Sequence, residues 1–238
     1  MRTIVPHTVE EAYEVADAAI AGDGAKLLDE LGDLLFQTYF LALLLEEQGE
    51  GDLETVARNV HAKLVRRHPH VFGDARADTP GHVRRRWEAI KTEQEGREGV
   101  FHDVPEALPS LLRARKVQRR AAAVGFDWPD LTGPFAKIHE EVGELEEAVT
   151  DAGAPAPESE PDAAVFHEVG DTLFTIVNAA RKLNVDPELA LRATTRRFVE
   201  RVELAEQLAA DAGETWTELG LDAQEGWYLE ARRRLEQP

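Results

Sequence analysis

Residues 137–149 read KIHEEVGELEEAV and residues 166–174 read FHEVGDTLF, and each segment carries two carboxylates three residues apart. The pairs are Glu141 with Glu144, and Glu168 with Asp171. On an α-helix this step puts both side chains on one face, where like charges repel unless a cation lies between them. Two such pairs on facing helices would offer about four oxygen ligands, which is typical of a site for a hard cation. We therefore expect a Mg²⁺ site here, with Mn²⁺ as an alternative ion.

The hydrophobic pattern of the remaining chain predicts an all-α fold. Apolar residues recur at helical spacing, helices are separated by short turns, and no convincing period-two strand is found. We predict a first helix over Val9–Ile20 that begins after Pro6 with Thr8 as its cap, and a long, well-buried second helix that ends at Gly49. Further helices are predicted over residues 53–68, capped by Asp52, and over residues 83–95. Gly96 to Ser110 is expected to connect two helical-bundle modules, residues 1–103 and 104–238.

An internal repeat supports the division into two modules. Glu10–Glu14 and Glu30–Phe36 are echoed by Glu140–Glu144 and Glu168–Phe174, at offsets of 130 and 138 residues. The second half therefore carries an insertion of eight residues, which we place in the Pro-rich and acidic loop Asp151–Ala164. Basic positions also correspond between the halves: Lys63 with Arg197, Arg67 with Arg201, and Lys91 with Arg232. Trp87 corresponds to Tyr228 if Tyr228, rather than Trp227, takes the aromatic place.

These patterns favour phosphate chemistry at a metal site. An isolated pair of helical carboxylates is usually a solvated face, but Asp33 and Asp171 each directly precede a strongly apolar segment, where an unpaired charge is costly. Metal-bound carboxylates orient water, and nearby arginines and lysines hold phosphate oxygens. Hydrolysis of a phosphoanhydride is the expected reaction class. The sequence contains no P-loop motif, no HExxH and no cysteine, so a P-loop enzyme and a typical zinc site are disfavoured.

The composition restricts the partners. The chain has 46 acidic and 27 basic residues and a net charge of −19, which disfavours a general nucleic-acid or anionic-membrane surface. The basic run at residues 113–120, RARKVQRR, could contact RNA, but we expect it to complement acidic faces or a second subunit. The absence of cysteine, of a signal peptide and of a long apolar run leads us to expect a cytoplasmic protein without a membrane span.

Several segments together resemble the MazG family of nucleoside triphosphate pyrophosphohydrolases in its tandem two-domain form. They are EEAYE with ELGDLLF, KLVRRHPHVF, WEAIKTE, and EEVGE with EVGDTLF, in order over nearly the whole chain. The resemblance implies an all-α fold, Mg²⁺-dependent conversion of nucleoside triphosphates to monophosphates and pyrophosphate, a homodimer and a broad, house-cleaning substrate range. Two alternatives stay open: a dedicated dUTP or phosphoribosyl-ATP pyrophosphohydrolase, and a non-catalytic, metal-stabilised helical interaction protein.

The family's functional positions can be carried over residue by residue. The resemblance implies metal ligands and catalytic carboxylates at Glu141, Glu144, Glu168 and Asp171, and a second, less complete set at Glu11, Glu14, Glu30 and Asp33. It implies triphosphate and nucleotide contacts at Lys137, Arg197, Arg201, Tyr228 and Arg232. Arg197 and Arg232 stand where lysine is common in the family, and Tyr228 stands where tryptophan is common. The resemblance therefore says less about substrate preference than about the type of reaction.

One family motif distinguishes the two halves. Family members usually carry a CPWD segment before the first acidic helix, which this sequence lacks, whereas the second half keeps a counterpart in Gly125–Trp128. Trp128 is expected either to stack on a base or to fill the core. We therefore predict that the second module is catalytic and that the first is structural and dimerising.

Overall fold

The computed structural model describes residues 3–72, 99–102, 104–154 and 160–236. The chain divides into two compact units, Met1–Arg97 and Glu98–Pro238, called unit 1 and unit 2 below. Within the described residues the regular structure is helical and no strand is present, so the predicted all-α class is confirmed. None of these helices combines the length and apolar composition that crossing a lipid bilayer requires.

Unit 1 is built around a helical hairpin. Helix α1 spans Val5–Ala21, α2 spans Gly24–Glu47, α3 spans Leu53–Arg67, and the single turn α4 spans Pro69–Phe72. Helices α1 and α2 pack against each other because the chain reverses within two residues. Gly22 closes α1 in the left-handed conformation, with φ of 70°, and the Asp23 carboxylate accepts hydrogen bonds from the first backbone N–H groups of α2.

Two details of unit 1 differ from the sequence prediction. Helix α1 begins at Val5 rather than Val9, because Pro6 lies in the first helical turn, where its missing N–H costs nothing. Thr8 is consequently not a cap, and its hydroxyl donates to the Ile4 carbonyl one turn earlier.

Helix α2 has the predicted extent but not the predicted burial. Only Glu30 and Ala42 are buried, while Leu28, Leu35 and Phe36 are 76%, 67% and 60% exposed. The prediction of a well-buried helix was therefore wrong for the single chain, since the apolar pattern is wider than the face that α1 covers.

The described residues of unit 2 form two helical hairpins and one additional helix. Helix α5 spans Ser110–Ala123, α6 Thr132–Ala152, α7 Ala163–Lys182, α8 Pro187–Asp211, and α9 Leu221–Glu236, with a 3₁₀ turn at Trp216–Glu218. Helix α6 packs on α7, α8 packs on α9, and α5 lies against α7 and α8. The predicted helix over residues 83–95, with Trp87 and Lys91, lies outside the described residues, as does part of the predicted inserted loop.

Local interactions fix the positions of these helices. The Asp162 carboxylate caps α7, and Asp186 caps α8 while pairing with Arg115 of α5. Within the basic run, Arg115 thus neutralises an acidic residue of its own unit. The core between α8 and α9 contains Ala205 and Ala231, whose small side chains allow the two helices to approach closely.

Candidate active site

The carboxylates of the α6–α7 hairpin converge. Glu141 of α6 and Glu168 and Asp171 of α7 can each place an oxygen within 4.8 Å of the others. Glu144 belongs to the same acidic group, because burial and the nearby charges of Glu141 and Glu168 raise its pKa above the ordinary value, with Lys137 opposing them. The structure thus brings together three of the four carboxylates that the sequence singled out, and the charges of two of them also act on Glu144.

Glu141 is the buried member of this cluster, and Lys137 supplies its countercharge. Glu141 is 5% exposed, and its carboxylate lies 2.7 Å from the Lys137 ammonium one helical turn earlier. Lys137 also contacts Glu140 at 2.7 Å, and the hydrogen bonds to both glutamates hold its pKa well above the usual value. A buried carboxylate needs such a partner. Lys137 is therefore a permanently charged group at the edge of the cluster.

The donor set fits a hard divalent cation. The cluster offers only carboxylate oxygens, from two helices, and no sulfur or imidazole ligand takes part. Mg²⁺ and Mn²⁺ prefer such donors, whereas zinc sites use histidine and cysteine. Glu141, Glu168 and Asp171 would hold the ion, with Glu144 beside them.

A cavity of about 670 Å³ adjoins the cluster. Glu141, Asp171 and Lys137 contribute to its wall, and most of the remaining lining is apolar. Its aromatic residues are Phe101, Phe126, Trp128 and Phe174. This volume is within the range of small-molecule sites.

Trp128 is placed as part of this cavity and not as a core residue. Its side chain is 47% exposed, and its ring lies directly over Gly133 in the first turn of α6. A Cβ atom at Gly133 would come within 2.2 Å of the ring. Of the two sequence interpretations, the placement favours a stacking surface.

Ion pairs hold the segment that carries Trp128. Arg181 of α7 pairs with Asp127, and Lys182 donates a hydrogen bond to the Trp128 carbonyl. Burial raises the pKa of Asp127, but the hydrogen bond from Arg181 and the charges of Arg181 and Lys182 outweigh it, so the pKa is lowered overall. The aromatic wall of the cavity is therefore anchored electrostatically to α7.

Sequence reasoning missed four polar residues of the cavity, Gln118, Thr175, Asn178 and Arg181. Two of them, Asn178 and Arg181, had a detectable signal. They continue the series of Asp171 and Phe174 at steps of three and four residues, so all four share a face of α7. Gln118 had no such signal, because it lies within the basic run of α5.

The predicted phosphate-binding residues of the C-terminal helices form a separate group. The Arg201 guanidinium lies 3.5 Å from the Tyr228 hydroxyl, and the Phe198 and Tyr228 rings are 5.8 Å apart. Glu236 accepts hydrogen bonds from both Arg201, at 2.7 Å, and Arg232, at 3.1 Å. Arg197 is exposed and contacts Thr194. Within unit 2 as described, no hydrogen bond or ion pair links this group to the acidic cluster, so its triphosphate role stays a prediction.

Unit 1 contains a second acidic cluster. Glu11, Glu14 and Glu30 can place oxygens within 4.8 Å of one another, and burial together with the charge of Asp33 raises the pKa of Glu11. Glu30, 8% exposed, has Lys26 one turn earlier, with its ammonium 3.8 Å away. The surface recess here is lined by described residues of α2 alone, 25–33, and none is aromatic.

Comparison with known proteins finds relatives over nearly the whole chain. The family model of the MazG nucleotide pyrophosphohydrolase domain matches residues 1–72. The chain is 39% identical to the nucleoside triphosphate pyrophosphohydrolase of Escherichia coli strain K12, over 98% of this chain and 87% of that protein. It is 38% identical to the nucleoside triphosphate pyrophosphohydrolase/pyrophosphatase MazG of Thermotoga maritima, over 97% and 85% of the two chains.

A more distant relative is the nucleoside triphosphate pyrophosphohydrolase of Mycobacterium tuberculosis, 28% identical over 87% of this chain and 51% of that protein. The matches to the Escherichia coli and Thermotoga maritima proteins cover both units and both acidic clusters. The chain therefore belongs to the MazG family of nucleoside triphosphate pyrophosphohydrolases.

Proposed function

We propose that this protein is a Mg²⁺-dependent enzyme that hydrolyses nucleoside triphosphates to nucleoside monophosphates and pyrophosphate, and that unit 2 carries the reaction. The observation that supports this most directly is the convergence of Glu141, Glu168 and Asp171 beside Lys137 and a cavity with an aromatic wall. Membership of the pyrophosphohydrolase family supports the same activity.

The proposed reaction is attack of a water oxygen on the α-phosphorus. The bond from that phosphorus to the α–β bridging oxygen breaks, pyrophosphate leaves, and a carboxylate of the cluster takes the proton of the water. Mg²⁺, when bound, supplies positive charge that polarises the phosphate and makes the water more acidic. Lys137 would contact a phosphate oxygen, Trp128 would stack on the base, and Arg197, Arg201 and Arg232, with Tyr228, would hold the rest of the nucleotide.

The test is release of pyrophosphate by the full-length protein with Mg²⁺. Glu141→Gln and Asp171→Asn should each lower kcat/KM by about 100-fold or more, since even outer-sphere changes at metal sites cost about 10- to 100-fold. Glu147→Gln is the matched control, because Glu147 is an exposed residue of α6 outside the cluster. Full turnover in both cluster variants would contradict the site.

We also propose that the unit 1 cluster is a non-catalytic, structural site. The recess described beside it has no aromatic wall and draws on one helix only. A full-length Glu11→Gln, Glu30→Gln double variant should therefore keep turnover within about threefold of the wild type, while its thermal unfolding becomes less sensitive to Mg²⁺. Loss of turnover equal to that of Glu141→Gln would assign catalysis to unit 1 as well.

A broad substrate range is part of the proposal. Eight ribonucleoside and deoxyribonucleoside triphosphates should be hydrolysed with kcat/KM values within about tenfold of one another, because stacking on Trp128 is tolerant of base identity. Turnover confined to dUTP, or to phosphoribosyl-ATP, would instead identify a dedicated enzyme. Stabilisation by Mg²⁺ with no turnover of any nucleotide would identify a non-catalytic protein.

A further inference from the structure

Gln118 has a buried acceptor atom without a partner. The residue is 7% exposed and lies on α5, where it contributes to the wall of the cavity next to the acidic cluster. Its amide nitrogen donates to the Phe174 carbonyl at 2.7 Å. Its Oε1 atom is buried and has no hydrogen-bond partner among the described residues. An unsatisfied buried acceptor costs stability.

The Phe174 carbonyl fixes which way the Gln118 amide points. A carbonyl oxygen accepts hydrogen bonds and cannot donate, so the amide nitrogen must face it. The Oε1 atom is consequently held in place as an acceptor. Unpartnered buried polar atoms usually signal a missing ligand or water.

Asn178 complements Gln118 in the same cavity. Its Oδ1 accepts from the Arg181 guanidinium, at 3.0 Å from Nε and 2.8 Å from the terminal nitrogen. These two hydrogen bonds fix the orientation of the Asn178 amide. Its nitrogen can then donate a hydrogen bond, and no acceptor for that nitrogen is found within the described part of the chain. Gln118 from α5 and Asn178 from α7 thus both contribute to the cavity wall, together with Trp128.

We propose that the Gln118 Oε1 atom accepts a hydrogen bond from an N–H group of the nucleobase, making Gln118 a base-binding residue. The inference rests on the proposed function. Every standard nucleobase carries at least one N–H group adjacent to an acceptor atom, so the pair formed by Gln118 and Asn178 suits all of them. The same pair disfavours a base that has no N–H group. The unsubstituted purine of purine riboside is such a base.

The test compares ATP with purine riboside triphosphate, which differs only in lacking the exocyclic amine. Gln118→Met removes the acceptor and keeps the volume. With wild-type protein, the Kd of the non-hydrolysable α,β-methylene form should be about 3- to 10-fold lower for the adenine nucleotide, the range of one neutral hydrogen bond. In Gln118→Met this preference should disappear, because only the adenine nucleotide loses affinity.

Gln224→Met is the matched control. Gln224 also donates its amide nitrogen to a backbone carbonyl, that of Trp216 at 3.0 Å, but it lies outside the cavity. This variant should keep the preference for the adenine nucleotide, and thermal unfolding of both variants reports any general loss of structure. An equal loss of affinity for both nucleotides in Gln118→Met, or no loss, would overturn the assignment of Gln118.

Hydrolysis measurements separate this inference from the proposed function. Base-dependent binding without pyrophosphate release would overturn the proposed function and leave the role of Gln118 standing. The other outcome is that the wild type releases pyrophosphate, but Gln118→Met has the same ratio of kcat/KM values for ATP and purine riboside triphosphate as the wild type. That result would overturn the role of Gln118 and leave the proposed function standing.

Discussion

Gly133 sets the position of the Trp128 ring, since the absence of a side chain is what allows the ring to lie over the first turn of α6. In Gly133→Ala the new methyl group would overlap ring atoms at 2.2, 2.5 and 2.8 Å, so the ring must move. Because the ring is half exposed, it can swing outward at little cost in stability. We expect KM for ATP to rise several-fold, with a changed tryptophan fluorescence spectrum.

Gly226→Ala is the control for this substitution. Gly226 lies inside α9, and a Cβ atom there would have no neighbour within 4 Å. Alanine should raise the free energy of unfolding by about 0.5–1 kcal/mol, the usual helix-interior difference, without changing KM. Equal KM values for the two glycine variants would show that the position of Trp128 does not matter for binding.

Asp127 makes the stability of unit 2 depend on pH. Its pKa is lowered in the folded protein, so its contribution is complete above the unfolded value of about 3.9 and is lost as the pH falls through the lower folded value. Asp127→Asn should therefore lower the free energy of unfolding by about 1 kcal/mol at pH 7, the scale of a partly exposed ion pair. Thermal unfolding should show this difference closing below about pH 4. A difference that keeps its full pH 7 size at pH 3 would contradict the ion-pair explanation.

At the scale of helices, the α6–α7 hairpin was largely predictable. Carboxylates three residues apart share a helix face, whatever the helix packs against. The convergence of Glu141, Glu168 and Asp171 therefore follows from this spacing once α6 and α7 pack side by side. The partner of Gln118 was not predictable, because the Phe174 carbonyl is brought to it by packing of α5 on α7. The start of α1 was missed because Pro6 can either precede a helix or occupy its first turn.

The α8–α9 hairpin contains an internal competitor for phosphate. Glu236 accepts hydrogen bonds from Arg201 and Arg232, two of the residues predicted to hold the triphosphate. In Glu236→Gln the two arginines should be more available to bind phosphate. KM for ATP should therefore fall by about 1.5- to 5-fold, the factor that corresponds to the free energy of an exposed ion pair.

The control for Glu236→Gln is Glu230→Gln. Glu230 pairs with Arg233 and Arg234, which are not predicted to bind phosphate. It should leave KM unchanged. If KM stays constant in Glu236→Gln as well, these arginines do not contact the substrate.

At the scale of the whole molecule, the exposed apolar face of α2 favours self-association. Leu28, Leu35 and Phe36 lie open to solvent in a chain with a net charge of −19, which otherwise keeps copies apart. We propose a homodimer in which this face is covered by a second copy. Leu35→Glu should convert the dimer to a monomer in analytical ultracentrifugation, whereas Glu47→Gln at the end of α2 should not. A wild-type monomer at micromolar concentration would contradict the proposal.

The lysine that accompanies each buried glutamate distinguishes the two units. Lys26 and Glu30 lie on the second helix of the hairpin in unit 1, whereas Lys137 and Glu141 lie on the first helix in unit 2. The fixed positive charge beside the carboxylates is therefore on α2 in unit 1 and on α6 in unit 2, although the acidic positions of the two hairpins correspond one to one in sequence.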